Sequence, residues 1–410
     1  MSEGVIAGMS AGRLGRIDAL LQEKYIDTGK IAGALTLVAR RGEIAHFSPV
    51  GQMDAERGTP VKEDTIFRIF SMSKPITSVA LMMLYEEGRF QLDNPVHQFI
   101  PEWENLGVWV GGAHPNFVTS RPERPMSIRD LLSHQSGLTY GAHFRNSVDA
   151  AYRQLEVMGG ANSKSPDDTL ADNVKKLAQI PLAFSPGTAW NYSVSTDVCG
   201  YLVEVISGKP FDRYLEERVL GPLGMVDTAF HVPEEKLDRF AACYAPAPGG
   251  GRVLIDDPGT SPYRTPPKLF GGGGGLVATA HDYFRFSQML LNGGALDGAR
   301  ILSRKTIELM RTNHLPGGVD LAAMMPPGQF SEAVTTGTGF GLGFSVLLDP
   351  ARAQIAGSPG QYAWGGAAST AFWIDPVEEV VVVFMTQLRP SSTYPVRREL
   401  QVLVNAAIMD

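Results

Sequence analysis

The sequence predicts an α+β fold: an antiparallel sheet flanked by helices, built from both ends of the chain, with a mainly helical domain inserted between them. Three observations lead there. Strand-like runs lie near the two termini, at 34–39 and 43–47 and again at 339–348, 368–374 and 379–386. Between them, from about 95 to 270, short helical patterns at 128–133, 169–179 and 196–207 alternate with Pro/Gly-rich connections. Strands at the ends and helices between is the order expected when one sheet closes over an insertion. The length of 410 residues allows two or three structural units and a large core.

The elements follow in order. Leu14, Ile17, Leu20, Leu21 and Tyr25 recur at helical spacing, so an amphipathic helix over 11–29 opens the chain. The first two β-rich runs, separated by Arg40-Arg41-Gly42, read as a hairpin. A strand at 65–70 then leads into an apolar helix that ends near Gly88. Two connections stand out in the middle: 111–126 with its three prolines, and 245–275, which closes on Gly271–Gly275. A helix over 280–291 precedes the last strands, and another over 394–408 ends the chain. The expected division is therefore 1–94 with 272–410 as one domain and 95–271 as the insertion, with a cleft between them. The loop 313–338 is long enough to edge that cleft.

Composition narrows the function classes. Hydrophobic residues make up 44% and charged residues 19%, ordinary for a globular protein. A net charge of −7, with Lys175-Lys176 and Arg397-Arg398 as isolated basic pairs, argues against a nucleic-acid partner. Cys199 and Cys243 are too few for a disulfide framework and read as two buried thiols. The first residues hold no apolar stretch of signal-peptide length, and no run approaches the roughly 18 apolar residues of a membrane span. A soluble cytoplasmic protein without membrane contact is the expectation; the oligomeric state is not legible.

Three motifs carry possible chemistry. Ser71 and Lys74, three residues apart, share one helix face at its N-terminus, where free N–H groups favour negative charge. A neutral Lys74 there could take the serine proton, provided burial or a positive neighbour lowers its pKa. Pro75, directly after the lysine, disfavours helical geometry at Lys74, and such local conflict is commoner at functional sites. Tyr192-Ser193 follows a Pro186-Gly187 turn and precedes a helix, which places a phenol at a loop end. A lysine ammonium nearby would depress its pKa and let it pass protons. Trp364-Gly365-Gly366-Ala367 lies just ahead of a strand, and its glycines allow close approach to the backbone. Taken singly, each motif has an ordinary structural explanation: a helix cap, a packed ring, a turn.

Together, in this order and at these separations, the three resemble the family VIII carboxylesterases, which share the fold of class C β-lactamases and penicillin-binding DD-peptidases. The segments 125–138 and 271–279 agree, so the resemblance runs from about 15 to 405. It implies acylation of Ser71, proton transfer by Lys74 and Tyr192, and an oxyanion hole from the N–H groups of Ser71 and Ala367. It implies no metal and no organic cofactor. Which of Lys74 and Tyr192 is the base stays open.

Two departures bear on substrate. Where the β-lactamases carry an asparagine two residues after the tyrosine, this chain has Val194; where they usually carry a lysine at the third motif, it has Trp364. Apolar groups at both positions predict a drier, uncharged site that suits neutral esters over peptides and penicillins. Trp364, Gly365, Gly366 and Val194 are therefore expected at the substrate, with Tyr140, Phe144 and Trp190 as candidate acyl-pocket walls. The expected activity is hydrolysis of short-chain neutral esters. A β-lactamase or DD-peptidase and an acyltransferase are alternatives with the same machinery, and a non-catalytic binding protein is another.

Other signals carry less. Gly8-Met9-Ser10-Ala11-Gly12 matches a nucleophile elbow but lies in a terminus expected to be mobile, without a preceding strand. The eight histidines show no zinc spacing. His134 is expected to hold a loop, and Gly271–Gly275, which lacks the phosphate-loop ending, to pack closely beside the site.

Overall fold

The computed structural model describes residues 4–159 and 166–410. Its centre is an eight-stranded antiparallel sheet. The strand order is Thr338–Phe340, Ser345–Leu347, Tyr362–Gly365, Ala371–Asp375, Val380–Thr386, Gly33–Arg40, Glu43–Asp54 and Thr59–Pro60. The C-terminal strand Val380–Thr386 pairs with the N-terminal Gly33–Arg40, with Val382 opposite Val38. Its β-branched run explains that central place, because such side chains pack well on a pleated surface covered from both sides.

Alternation divides the sheet into two faces. Leu35, Leu37, Val381 and Val383 join the larger core, which holds the helices Ser73–Glu86 and Ala280–Leu291. Ala34, Val38, Val382 and Phe384 face the other way, onto the helices Ala11–Leu20 and Val396–Ala406. The Ser73–Glu86 helix is buried at every position from Ser73 to Leu84, as an all-round apolar helix must be. The middle-segment helices Ile128–Leu132, Leu170–Leu177 and Ser195–Ser207 contribute to the same core, so the central helix is covered by sheet on one side and helices on the other.

Several expected elements change form. The opening helix is α-helical only over Ala11–Leu20 and continues as a wider π-type turn over Leu21–Ile26. The strand expected at 65–70 shrinks to Phe67–Arg68, paired with Val277–Ala278. The proline-rich 111–126 belongs to a ribbon of Val108–Ala113 with Asn116–Ser120, and Cys243–Pro246 pairs with Arg252–Asp256. Pairing with a distant or adjacent strand, rather than local propensity, made these strands. Tyr362–Gly365 is itself a strand, and the strand expected after the Trp364–Ala367 motif follows as Ala371–Asp375. Pro75 does not displace Lys74 from the helix. In the first turn its missing N–H has no intrahelical acceptor to lose. Both cysteines are buried and free. Among the described residues no helix is long and apolar enough to cross a membrane.

One buried cation ties this framework together. Arg68, fully buried, pairs with Asp256 at 2.7 Å and donates to Ser261 Oγ at 3.1 Å and to the Ala241 carbonyl. Its guanidinium lies 4.0 Å from the Phe240 ring centroid. Removing one partner of a buried pair strands the other. Asp256→Ala is therefore expected to lower unfolding free energy in urea by about 3 kcal/mol. Removing Glu217, whose pair with Lys209 is half-exposed on both sides, should cost under about 1 kcal/mol. Equal losses in the two variants would contradict this assignment.

Candidate active site

Ser71 sits in a tight 3₁₀ turn, Phe70–Met72, that runs directly into the Ser73–Glu86 helix. Phe70 adopts φ +42°, a left-handed conformation costly for an aromatic residue. Neighbouring elements hold the turn in place. The Tyr283 hydroxyl donates to the Met72 carbonyl at 2.9 Å, and the Leu276 N–H donates to Ser73 Oγ at 3.1 Å.

One helical turn brings Lys74 Nζ to 3.1 Å from Ser71 Oγ. The amine also donates to the Gly273 carbonyl at 2.5 Å. Burial pushes the Lys74 ammonium down to about 8, against the opposing pull of the Asp197 and Glu332 carboxylates. Gly273 owes its position to Asp197, whose Oδ1 accepts its N–H at 2.8 Å. A Cβ on Gly273 would come within 2.5 Å of Asp197 Oδ2, and one on Gly272 within 2.7 Å of the Thr196 carbonyl. The glycine run is thus a close-packed shelf against the Ser195–Ser207 helix, and one of its carbonyls reaches the lysine. Burial pushes the Asp197 carboxyl up, with Lys74 opposing.

Tyr192 arrives from the other side. Its ring centroid lies 4.7 Å from Lys74 Nζ, and its hydroxyl accepts from Trp364 Nε1 at 3.3 Å. Trp190 stacks parallel beneath it at 6.2 Å, and His134 meets it edge-on at 5.1 Å. His134 Nδ1 lies 3.2 Å from Ser193 Oγ, and its imidazole is held well below the usual range by burial and by Lys74. It packs and positions. The expected depression of the phenol does not occur. Burial and the Glu332 charge push Tyr192 far above the ordinary phenol value, and contacts with Ser71 and Trp364 only partly offset them. Desolvation of the phenolate is the dominant cause.

Ser71 and Tyr192 open on a cavity of about 680 Å³ whose walls include Tyr140, His143, Phe330, Glu332 and Ala367. Tyr140 and Ala367 were legible from sequence; the others were not. The remaining candidate pocket residues lie elsewhere. Phe144 is 71% exposed and stacks under Arg153 at 4.1 Å, because its φ of +54° turns it outward. Trp190 and Val194 are buried behind Tyr192 and do not line the cavity. Trp364 touches the site through its indole N–H to Tyr192 rather than as a wall. Gly365 and Gly366 are structural. A Cβ on Gly366 would lie 2.3 Å from the Ile69 carbonyl, so the strand end abuts the turn that carries Ser71. Nor is the site uncharged, since Glu332 and Arg389 both border the cavity. Glu332 comes from the long loop and carried no motif that could have marked it. Ser10, by contrast, is buried as the N-cap of the Ala11–Leu20 helix, accepting from the Arg13 N–H at 3.2 Å. The two-residue strand Val5–Ile6 does precede it and pairs with Met9–Ser10, and the segment is packed against the closing helix rather than loose.

Comparison with known proteins places the chain in a family. The model of the Beta-lactamase family matches residues 17–406. Protein Rv1367c of Mycobacterium tuberculosis is 36% identical, over 89% of this chain and 88% of that protein. Esterase EstB of Burkholderia gladioli is 30% identical, over 92% and 91%. The solved structure described as EstCE1, a hydrolase with promiscuous acyltransferase activity, superposes with a TM-score of 0.80 at 26% identity. It covers 96% of this chain and 99% of its own. The chain belongs to the beta-lactamase family and, within it, to the family VIII esterases built on the β-lactamase and penicillin-binding-protein fold.

Proposed function

We propose that this protein is a serine carboxylesterase that hydrolyses short-chain neutral esters through an acyl-enzyme on Ser71. The observation that carries the reading is a fully buried lysine amine, with a pKa near 8, 3.1 Å from a serine hydroxyl at the edge of an open cavity. A neutral Lys74 gives one N–H to the Gly273 carbonyl and turns its lone pair to Ser71 Oγ. The serine oxygen attacks the ester carbonyl carbon as its proton passes to Lys74. The N–H groups of Ser71 and Ala367 receive the oxyanion. Collapse breaks the ester C–O bond, and the departing alkoxide takes a proton relayed from Lys74 through the Tyr192 hydroxyl. Water then repeats the cycle on the acyl-enzyme. Tyr192 releases its proton only as it receives another from Lys74 and never rests as a phenolate, consistent with its raised pKa, so Lys74 is the base in this scheme.

Substrate charge follows from the cavity walls. Glu332 borders the cavity and is already paired with Arg397 at 2.7 Å, so that guanidinium is not free to take a substrate carboxylate. Where a cation would stand at the third motif, Trp364 offers none, and Arg389, which also borders the cavity, lies over the Phe70 ring at 4.9 Å. Neutral esters are favoured over anionic lactams and peptides. Transfer of the acyl group to an alcohol instead of water uses the same intermediate, and EstCE1 is described as doing both.

A fluorophosphonate probe is expected to label the folded protein at Ser71. Ser71→Ala should lose p-nitrophenyl butyrate hydrolysis by about 10³-fold or more, while Ser10→Ala stays near wild type. Full activity in Ser71→Ala would end the proposal. Because the neutral amine is the base, kcat/KM for p-nitrophenyl acetate should fall about tenfold per pH unit below 7 and level off above roughly 8. A flat profile from pH 5 to 9 would exclude Lys74 from that role.

The same burial sets a stability trend. The folded pKa lies below the unfolded value of about 10.4, so the unfolded chain binds more protons between them. Stability from this group therefore rises as pH climbs from about 8 to about 10.4. Lys74→Met should unfold at higher urea than wild type at pH 7, with the gap closing over that window.

A further inference from the structure

Arg397, in the first turn of the closing helix Val396–Ala406, has no part in the scheme above, yet it reaches the Gly366–Thr370 turn. Its Nη2 donates to the Gly366 carbonyl at 2.7 Å and to the Thr370 carbonyl at 2.7 Å. Its Nη1 donates to Glu332 Oε2 at 2.7 Å and to the Glu332 carbonyl at 3.1 Å. Glu332, its side chain almost wholly buried, also accepts from Ser391 Oγ at 3.2 Å. The guanidinium lies so close to the strand end that a Cβ on Gly365 would sit 2.5 Å from it.

We propose that Arg397 is a positioning residue for acyl transfer, which holds the Gly366–Ala367 peptide so that its N–H points into the cavity. The proposal rests on Ser71 as acyl carrier. In a trans peptide the C=O of one residue and the N–H of the next lie in one plane and point in opposite directions. Fixing the Gly366 oxygen on the closing helix therefore fixes the Ala367 N–H on the opposite side, where Ala367 lines the cavity. That N–H has no hydrogen-bond partner among the described residues. Hydrogen bonding to the carbonyl also polarises the amide and strengthens its N–H as a donor.

The turn needs this support. Ser369 within it adopts φ +68°, a conformation that persists only where surroundings enforce it. Internal bonds, Gly366 N–H to the Thr370 carbonyl at 2.9 Å and Ser369 N–H to the Gly366 carbonyl at 3.0 Å, close the turn but do not orient it against Ser71. Arg397 supplies that orientation from outside at Gly366 and Thr370, while Leu388 holds Ala368 and Ser369 through its N–H and its carbonyl. Glu332 compensates its charge and ties the long loop to the same point.

The test compares wild type, Arg397→Lys and Gly365→Ala. Lysine keeps the charge but cannot bridge two carbonyls and a carboxylate at once. The Gly365→Ala methyl displaces the guanidinium without deleting it. Both are expected to lower kcat for p-nitrophenyl butyrate about 10²-fold while KM stays within about threefold, as when a transition-state donor is misplaced. The specific readout is the rate ratio between p-nitrophenyl butyrate and its thionoester, whose sulfur accepts hydrogen bonds poorly. A working oxyanion site makes that ratio large, and it should collapse in both variants. In either variant with native circular dichroism, an unchanged ratio or a kcat within threefold of wild type overturns the proposal. Should Arg397→Lys fail to fold, Gly365→Ala alone decides. Fluorophosphonate labelling separates the two readings. No labelling of wild type at Ser71 removes the acyl-enzyme itself. Labelled wild type with wild-type-like variants removes only the role of Arg397.

Discussion

The burial of Lys74 is the constraint around which the rest of this structure is arranged. An ammonium taken out of water loses solvation that a few carboxylates at a distance do not restore, so its pKa falls to about 8. The amine then needs an acceptor, and the Gly273 carbonyl supplies it. That carbonyl is held by Asp197 through the Gly273 N–H, which explains the side-chain-free run packed on the Ser195–Ser207 helix. On the open side the Tyr192 ring covers the amine, and Trp190, His134 and Trp364 fix that ring. One desolvated amine thus requires a helix, a glycine shelf and an aromatic stack drawn from five separate parts of the chain.

The sheet supplies the remaining edge. Tyr362–Gly365 pairs with Ser345–Leu347 only through Tyr362 and Ala363, so the Trp364–Gly366 end is left to meet the turn that carries Ser71. Gly366 permits backbone to approach backbone there, and Arg397 holds the following turn from behind. The closing helix, which covers one face of the sheet, therefore touches the proposed chemistry through one side chain. Charge behaves the same way at Arg68, where a buried guanidinium joins segments far apart in sequence. In both places the cation gathers backbone carbonyls as well as a carboxylate, which satisfies more of its donors than a carboxylate alone could.

Much of the fold was legible because hydrophobic period is local. The helix over 280–291 and the strand over 379–386 appear where their apolar residues place them. The ribbon Val108–Ala113 with Asn116–Ser120 was not legible, since a proline-rich stretch announces turns and says nothing of pairing. Tyr140 and Phe144 looked alike as aromatic pocket candidates. A left-handed backbone at Phe144 sends it to solvent, while Tyr140 stays at the cavity wall. Glu332 and Arg397 were ordinary charged residues until a loop and a helix met.

The sequence by itself determined which atoms are available: a serine and a lysine one helical turn apart, a tyrosine at a loop end, and glycines where backbones must touch. Helical spacing is a property of consecutive residues, so the pairing of Ser71 with Lys74 could be read directly. Only the tertiary structure decided their electrostatics. The lowered pKa of Lys74, the raised one of Tyr192 and the charged wall at Glu332 depend on how much water is excluded and on which distant groups fill its place. Solvent exclusion is a sum over the whole packed molecule, and no local stretch of residues encodes it.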